Sequence, residues 1–497
     1  MTDQPEFEFF CTQMPTQPCP EQGIVLITGA TGYIGGRLVP ELRARGYRTR
    51  ILVRAWHNDL QEQFPESEIV VGDVLCRESL YAALENVAVA YYLVHSFKLG
   101  ETSFESADYT AALNFSEVAE EQGVKRIIYL GGLGDFQGEL SPHLKSRLQV
   151  AHVFRNSKVP ATSLRAAIII GSGSASYEII RSLVKNLRFM FMPPWARTRC
   201  QPISVRDVIK YLVGSMEEDL TTGKEFDIGG PDVLSYEEML ETQAEIVGKK
   251  IWFIPFPFSV KRLYSYSVSL LTPVPRNITR LLMGSVMNDV VIINNDINNF
   301  LPFVTISYRE SLLRALSLEE KDKIRTRWSD AYPPEFELAI KYDEMKGEPD
   351  YVSEYFLDSQ KRSADLFQTI CKIGGKEGWF YYNWMWRMRG YMDRIILGVG
   401  SSRGRKNKEK LSINDVIDFW RVEDIRQNHL LLLRAEMKMP GKAWLRFGID
   451  QKHDRNVLSV KAIFYTKTIW GRIYWYIFLP FHYFLFKALI KQIDLRS

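Results

Sequence analysis

Ile24-Val25-Leu26-Ile27-Thr28-Gly29-Ala30-Thr31-Gly32-Tyr33-Ile34-Gly35-Gly36 decides how the chain is read. Four apolar residues run into a turn with glycines at 29, 32 and 35. A helical pattern follows from Arg37 to Arg45 and stops at Gly46. A buried strand, a glycine turn and a helix start, in that order, make a cradle for a phosphate. The turn needs backbone without Cβ, and the first helical N–H groups and the positive end of the helix dipole favour an anion. In this context the spacing predicts a dinucleotide site around Gly29, Thr31, Gly32, Tyr33, Ile34 and Gly35.

Outward from the turn, Thr49-Arg50-Ile51-Leu52-Val53-Arg54 reads as a second strand ending in an arginine. The adenosine ribose lies at the end of that strand in such sheets. An acidic residue there holds the 2′-hydroxyl of NAD, whereas an arginine pairs with the 2′-phosphate of NADP. Arg54 therefore tilts the expectation to NADP, with NADPH preferred over NADH; a solvated arginine is the alternative. Ile69–Val74 makes a third strand, where Asp73, followed by Val74, either accepts from the adenine amino group or is a solvated or helix-capping aspartate. His95 follows the apolar strand Ala88–Val94, on the edge where ligands sit, as a ligand contact or a hydrogen-bonded bystander. Helix Ala107–Gln122 and strand Arg126–Leu130 continue the alternation, which implies a doubly wound parallel sheet covered on both faces.

Thr28-Gly29-x-x-Gly32-x-x-Gly35, Gly72-Asp73-Val74, Leu164-Arg165, Pro202-Ile203-x-Val205-x-Asp207-Val208 and Gly229-Gly230-Pro231 resemble an extended or atypical short-chain dehydrogenase/reductase. The NmrA-like branch and the accessory nucleotide-binding subunit of respiratory complex I are the nearest in pattern, over residues 24 to about 320. The resemblance implies a Rossmann fold and a Ser, Tyr-x-x-x-Lys site, in which tyrosine moves the proton and lysine holds the nicotinamide ribose. Here the strand runs into Gly131-Gly132-Leu133-Gly134, and His143 and Arg147 stand at the Tyr and Lys positions. Two readings follow. Either His143 is the acid/base and Arg147 the ribose clamp, or the site binds NADP(H) without hydride chemistry. Ser172–Ser176 is expected to line the pocket. Met190–Trp195 and Trp252–Phe258, rich in aromatic residues and proline, either wall an apolar substrate site or pack internally.

The pattern changes beyond about residue 350. Leu431, Leu433 and Ala435, then Ala443, Leu445, Phe447 and Ile449, then Leu458, Val460, Ala462 and Phe464, alternate with polar residues such as Arg434 and Glu436. Period two means an antiparallel sheet with one buried face. A long apolar helix from Ile469 to about Ile493 closes the chain. Residues 350–497 resemble a START/polyketide-cyclase (SRPBCC) helix-grip domain, which implies an α+β fold around a cavity for a hydrophobic small-molecule ligand. The last helix is uncharged for 14 residues between Arg472 and Lys487, with Pro480 expected to kink it. A helix buried in the grip is favoured over peripheral membrane contact or a true span, which needs about 20 apolar residues. The expected organisation is a flexible arm at 1–22, the Rossmann domain at 23–325, a linker at 326–349 and the helix-grip domain at 350–497.

At 497 residues two or three domains are expected, and 46% hydrophobic with 25% charged residues is a globular composition. A net charge of +4 gives no case for nucleic acid. Cysteines 11, 19, 76, 200 and 371 are scattered without metal-ligand spacing, so free thiols and no metal are expected. Residues 1–20 hold no Lys or Arg, unlike a secretory or transit signal, so a cytoplasmic and possible membrane-associated location is expected.

Overall fold

The computed structural model describes residues 9–56, 59–94, 104–134, 142–258, 261–274, 276–293, 295–320, 342, 345, 347–375, 377–396, 398–400, 405, 411–452 and 455–497. The chain divides into two units, one comprising Met1–Ser265 and Asn277–Ala331, the other Tyr266–Arg276 and Tyr332–Ser497.

In the first unit, strands β1 (Ile24–Thr28), β2 (Arg48–Val53), β3 (Glu68–Val71), β4 (Val87–Tyr92), β5 (Arg126–Gly132), β6 (Ala161–Ala166) and β7 (Glu225–Ile228) form one sheet. Their order is β7-β6-β5-β4-β1-β2-β3, and every pairing is parallel. The strands read as unbroken apolar runs because both faces are covered. Ile27 and Tyr91 pack with Leu38 and Leu42 of α1 (Gly35–Ala44). Leu26 and Ala90 pack with Phe115 of α2 (Phe104–Glu121) and Phe154 of α3 (Pro142–Arg155). The strand order reverses at β1 and β4, which opens a crevice beyond their carboxyl ends.

The flexible arm expected at 1–22 is corrected for residues 9–22; residues 1–8 lie outside the described ones. Cys11 is fully buried, and its N–H donates to Glu41 Oε2 at 3.0 Å. The Arg45 guanidinium donates to the Cys11 and Thr16 carbonyls at 2.6 Å each, and pairs with Glu217 at 2.6 Å. A buried guanidinium needs several acceptors, and this segment supplies two of them.

In the second unit, β8 (Tyr351–Ser359), β9 (Val416–Ile417), β10 (Trp420–Arg426), β11 (Leu430–Ala435), β12 (Lys442–Lys452) and β13 (Arg455–Tyr465) form an antiparallel sheet of order β8-β13-β12-β11-β10-β9. Leu431, Leu433, Leu445, Phe447, Leu458 and Val460 lie on the face packed by α5 (Ser363–Ile370) and α7 (Ile469–Arg496), as the alternation predicts. α6 (Asn383–Ile395) packs Trp386 into the same core. The opposite face does not meet solvent freely. Leu432, Trp444 and Ile463 cluster there with Tyr342 and Met345, and Arg421 and Glu436 form a buried ion pair.

The favoured reading of α7 as a buried helix holds for only part of it. Phe486, Leu489, Ile490 and Ile493 are buried, but Trp470 is 71% exposed, Tyr476 63% and Phe484 61%. The helix runs unbroken through Pro480 to Arg496, three residues past the expected end.

Candidate dinucleotide site

The glycine turn sits at the point of reversal. Gly29 has φ +68°, and a Cβ on it would lie 2.8 Å from the Leu93 carbonyl oxygen. A Cβ on Gly35 would lie 2.4 Å from the Gly29 carbonyl oxygen, so only glycine lets α1 start this close to β1. The Gly32 N–H donates to Gly29 O at 2.9 Å, and the Gly36 N–H to Gly32 O at 3.0 Å, which folds residues 29–36 into the helix start. Thr28 opens the glycine motif, and its side chain ties β1 to β4. Its hydroxyl donates to Tyr91 O at 3.0 Å and accepts from the Leu93 N–H at 3.1 Å. Arg37 places a guanidinium over the Tyr33 ring, 4.2 Å from its centroid, and donates to Ser172 O at 2.8 Å. The Tyr33 side chain thus braces the turn, while its backbone belongs to it. The arrangement fits a pyrophosphate cradle: neither Gly29 nor Gly35 has room for a Cβ, and a helix N-terminus closes the turn.

Arg54 follows β2 and is exposed. The Gly72 N–H donates to Val53 O at 2.8 Å, so the ends of β2 and β3 stay side by side and bring Asp73 close to Arg54. Asp73 Oδ1 accepts from the Leu75 N–H at 2.9 Å, and Ser79 bonds both the N–H and the carbonyl of Asp73. This carboxylate helps shape the turn after β3 but does not cap the next helix, whose N-cap residue is Cys76. Val74 is buried, with its carbonyl held by Asn114 at 3.3 Å. His95 lies outside the described residues.

At the end of β5, Gly131 and Gly132 leave little space for side chains. A Cβ on Gly131 would meet Tyr129 Cε1 at 3.0 Å, and one on Gly132 would meet Leu144 Cδ2 at 3.3 Å. α3 lies tight against this edge, and Arg147 Nη1 donates to Leu130 O at 3.0 Å. Arg147 Nε has no partner among the described residues. Ser146 donates to buried Asp108 at 2.6 Å and fixes α3 to α2. His143 stands in the first turn of α3, but its side chain lies outside the described residues.

Several remaining landmarks are structural. Asp207 accepts from the Ile306 N–H at 2.7 Å, and burial pushes its carboxyl above the usual range. A Cβ on Gly230 would lie 2.4 Å from Pro202 O, and Gln201 donates to Gly230 O at 2.7 Å. Arg165 pairs with Asp227 across β6 and β7 at 2.7 Å. Ser174 caps the helix Ala175–Asn186, and both it and Ser172 are buried. Phe189–Met192 pairs in parallel with Trp252–Pro255, which sets exposed Phe189, Phe191, Trp252 and Ile254 on one side of a ribbon and buried Met190 on the other. Among the described residues, no group of three or more His, Cys, Asp or Glu side chains is placed to hold a metal ion.

Comparisons with known proteins accord with this geometry. Residues 345–489 match a family described as a protein of unknown function (DUF2867). The mitochondrial NADH dehydrogenase [ubiquinone] 1 alpha subcomplex subunit 9 of Arabidopsis thaliana is 25% identical over 252 residues, covering 48% of this chain and 61% of that protein. The ceramide reductase of Caulobacter vibrioides is 26% identical over 243 residues, 48% of this chain and 74% of that one. The chain thus spans about three fifths of the plant subunit's length. Among solved structures, the Citrobacter triphenylmethane reductase complexed with NADP(H) is 19% identical with a TM-score of 0.48, over 59% of this chain and 99% of that one. Residues 21–318 match the NmrA-like family. The chain belongs to this family, a nicotinamide-dinucleotide-binding branch of the short-chain dehydrogenase/reductase oxidoreductases.

Proposed function

We propose that the protein is an NADP(H)-dependent oxidoreductase acting on an apolar carbonyl or quinone-like molecule. The observation that carries the cofactor choice is the pair Arg54 and Asp73: the cation stands exposed past β2, and one oxygen of the nearby carboxylate accepts from the Leu75 N–H. Arg54 would take the 2′-phosphate, and Arg147, steadied by Leu130 O, would hold ribose hydroxyls through its remaining N–H groups. NADPH supplies a hydride when bound. His143, four residues before Arg147 on α3, would give the proton to the substrate oxygen, for which an imidazole pKa of about 6.5 is suited.

A second reading, a non-catalytic NADP(H)-binding redox sensor or assembly factor, is favoured by Gly131 and Gly132, which put no hydroxyl at the end of β5. In either case the second unit serves as a helix-grip, SRPBCC-like module for a hydrophobic ligand, supported by one sheet face closed by α5 and α7. The exposed side of α7 makes peripheral contact with a membrane from the cytoplasm. In support, α7 is long and apolar enough to cross a membrane, shows Trp470, Tyr476 and Phe484 to solvent, and carries Arg472 and Lys487 with no acid before Asp494.

Calorimetric titration with NADPH and NADH, for the wild type and Arg54→Ala, tests the cofactor choice. A loss of roughly tenfold for NADPH alone is expected, about 1.4 kcal/mol. Equal affinities, unchanged in the variant, would sink the NADP assignment. A carbonyl and quinone panel then separates the two readings: turnover that survives His143→Ala removes that residue, and binding without turnover of any compound supports the second.

A further inference from the structure

Phe189–Met192 and Trp252–Pro255 lie in the first unit and pair in parallel as a two-stranded ribbon. The Trp252 N–H donates to Arg188 O and the Phe256 N–H to Met192 O, each at 2.9 Å, which pins both ends. One side of the ribbon belongs to a core. Met190 is buried there with Ile180 and Val184 of the helix Ala175–Asn186, and Phe253 packs against that cluster. A ribbon with one face on a core ordinarily turns polar side chains outward. This one does not. Phe189 is 58% exposed, Phe191 57% and Trp252 55%, and the register sets Phe189 opposite Trp252 and Phe191 opposite Ile254. The apolar surface runs on through Phe256, whose ring meets Phe191 at 5.7 Å and exposed Phe258 at 5.5 Å.

The charges around this patch have one sign. No Asp or Glu occurs from Ile179 to Arg206 or from Ile246 to Asn288, so both strands and their flanks carry cations alone. Lys185, Arg188 and Lys250 are exposed and make no ion pair among the described residues. The Lys250 ammonium stands 4.6 Å from the centroid of the Trp252 ring, which puts an aromatic body and a charged head at one place on the surface. Lys249 is different. Its ammonium donates to the Val184 and Lys185 carbonyls at 2.7 and 2.6 Å and closes the end of the helix Ala175–Asn186.

Charge and backbone separate the occupants that an exposed apolar ribbon could take. A second copy docked about a twofold axis through the patch would bring the same cations face to face. A peptide added as a third strand needs N–H groups along an edge, and Pro193, Pro194, Pro255 and Pro257 remove them at the ends of both strands. A bilayer with anionic headgroups answers both features, since the rings suit the headgroup boundary and the cations suit phosphate and carboxylate.

We propose that this ribbon docks the first unit on a membrane surface rich in anionic lipid, with Phe189, Phe191 and Trp252 inserted and Lys185, Arg188 and Lys250 on the headgroups. The surface is separate from α7 and does not rest on the reading of that helix. Flotation of the full chain with vesicles of phosphatidylcholine, alone or with about 30% phosphatidylserine, tests it. The wild type is expected to bind the anionic vesicles at least about tenfold tighter at low salt, with the difference shrinking as salt rises.

Replacing Lys185, Arg188 and Lys250 together by alanine should weaken binding to the anionic vesicles on the order of a hundredfold. Phe189→Ser with Trp252→Ser should weaken it at least about tenfold. Tyr476→Ser with Phe484→Ser, which alters α7 alone, should keep the preference for anionic vesicles. Circular dichroism reports whether each variant is folded, and the cation variant still decides should the ring variant fold poorly. Anionic-vesicle binding that survives both ribbon variants would overturn the ribbon and leave the α7 contact standing. Loss of all binding in the α7 variant would likewise overturn it. A wild type that floats with neither vesicle would overturn both surfaces. A wild-type dimer in sedimentation, split by Phe189→Ser with Trp252→Ser, would assign the ribbon to a second copy instead.

Discussion

Between Thr28 and Gly35 the first unit builds its site from backbone, whereas the second builds its cavity from side chains drawn from α6, the sheet and α7. In the turn, close approach is obtained by leaving out Cβ atoms, and Thr28 serves as both donor and acceptor between strands. In the cavity, large side chains leave a gap whose wall is almost wholly apolar. A site made by omission tolerates almost no added atom; a site made by aromatic walls tolerates exchange of shape but is sensitive to polarity.

The largest expected effect comes from the charged face of the second sheet. Arg421→Met leaves Glu436 buried without its guanidinium and should cost about 3–5 kcal/mol. Urea unfolding followed by indole fluorescence should show a lowered midpoint, with NADPH binding to the first unit retained; an unchanged midpoint would mean that the pair contributes nothing. Next, Gly29→Val forces a branched side chain to φ +68° against Leu93 O. NADPH affinity should fall roughly a hundredfold, about 2.7 kcal/mol, while the cooperative urea unfolding of the second unit persists. Loss of both responses would mean that the two sites are not built independently.

The smallest effect at neutral pH belongs to His482. Its folded pKa of about 4 lies below the unfolded value of about 6.5, so between those limits the unfolded chain takes up a proton that the folded chain refuses. Stability from this residue is complete above about pH 6.5 and is lost as pH falls toward 4. His482→Gln should flatten the stability–pH curve in that window by up to about one proton of linkage. Superimposable curves for the two proteins would show that the ring is already solvated.

The parallel sheet was legible because its signals are local. A glycine turn between an apolar strand and a helix names its own context, and the continuous runs at β1 and β4 demand cover on both faces. Asp73 was legible only as a choice between roles, since one carboxylate suits each, and its bond from the Leu75 N–H places it in the turn without making it the cap of the helix. Thr28 stands in the glycine motif, but its tie to β4 shows in no local pattern, because its two partners lie more than 60 residues away. The same holds for the strap at residues 9–22, fixed by Arg45 and Glu217. In the second unit the alternation gave the sheet but not its covered back, because Arg421, Arg434 and Glu436 look solvated until their partners are known. The resemblance implied a cavity there, but which side chains line it depends on neighbours from α6, the sheet and α7 and not on spacing.

The segment Tyr266–Arg276 belongs to the second unit although its sequence neighbours belong to the first. The carbonyls of Leu270 and Thr272 receive the Arg394 guanidinium, whose pKa burial lowers to about 10. A fragment cut after residue 331 would therefore carry that cation without those acceptors. Genetic exchange at a single junction cannot transplant this domain whole; whatever recombines here must move two stretches of coding sequence together.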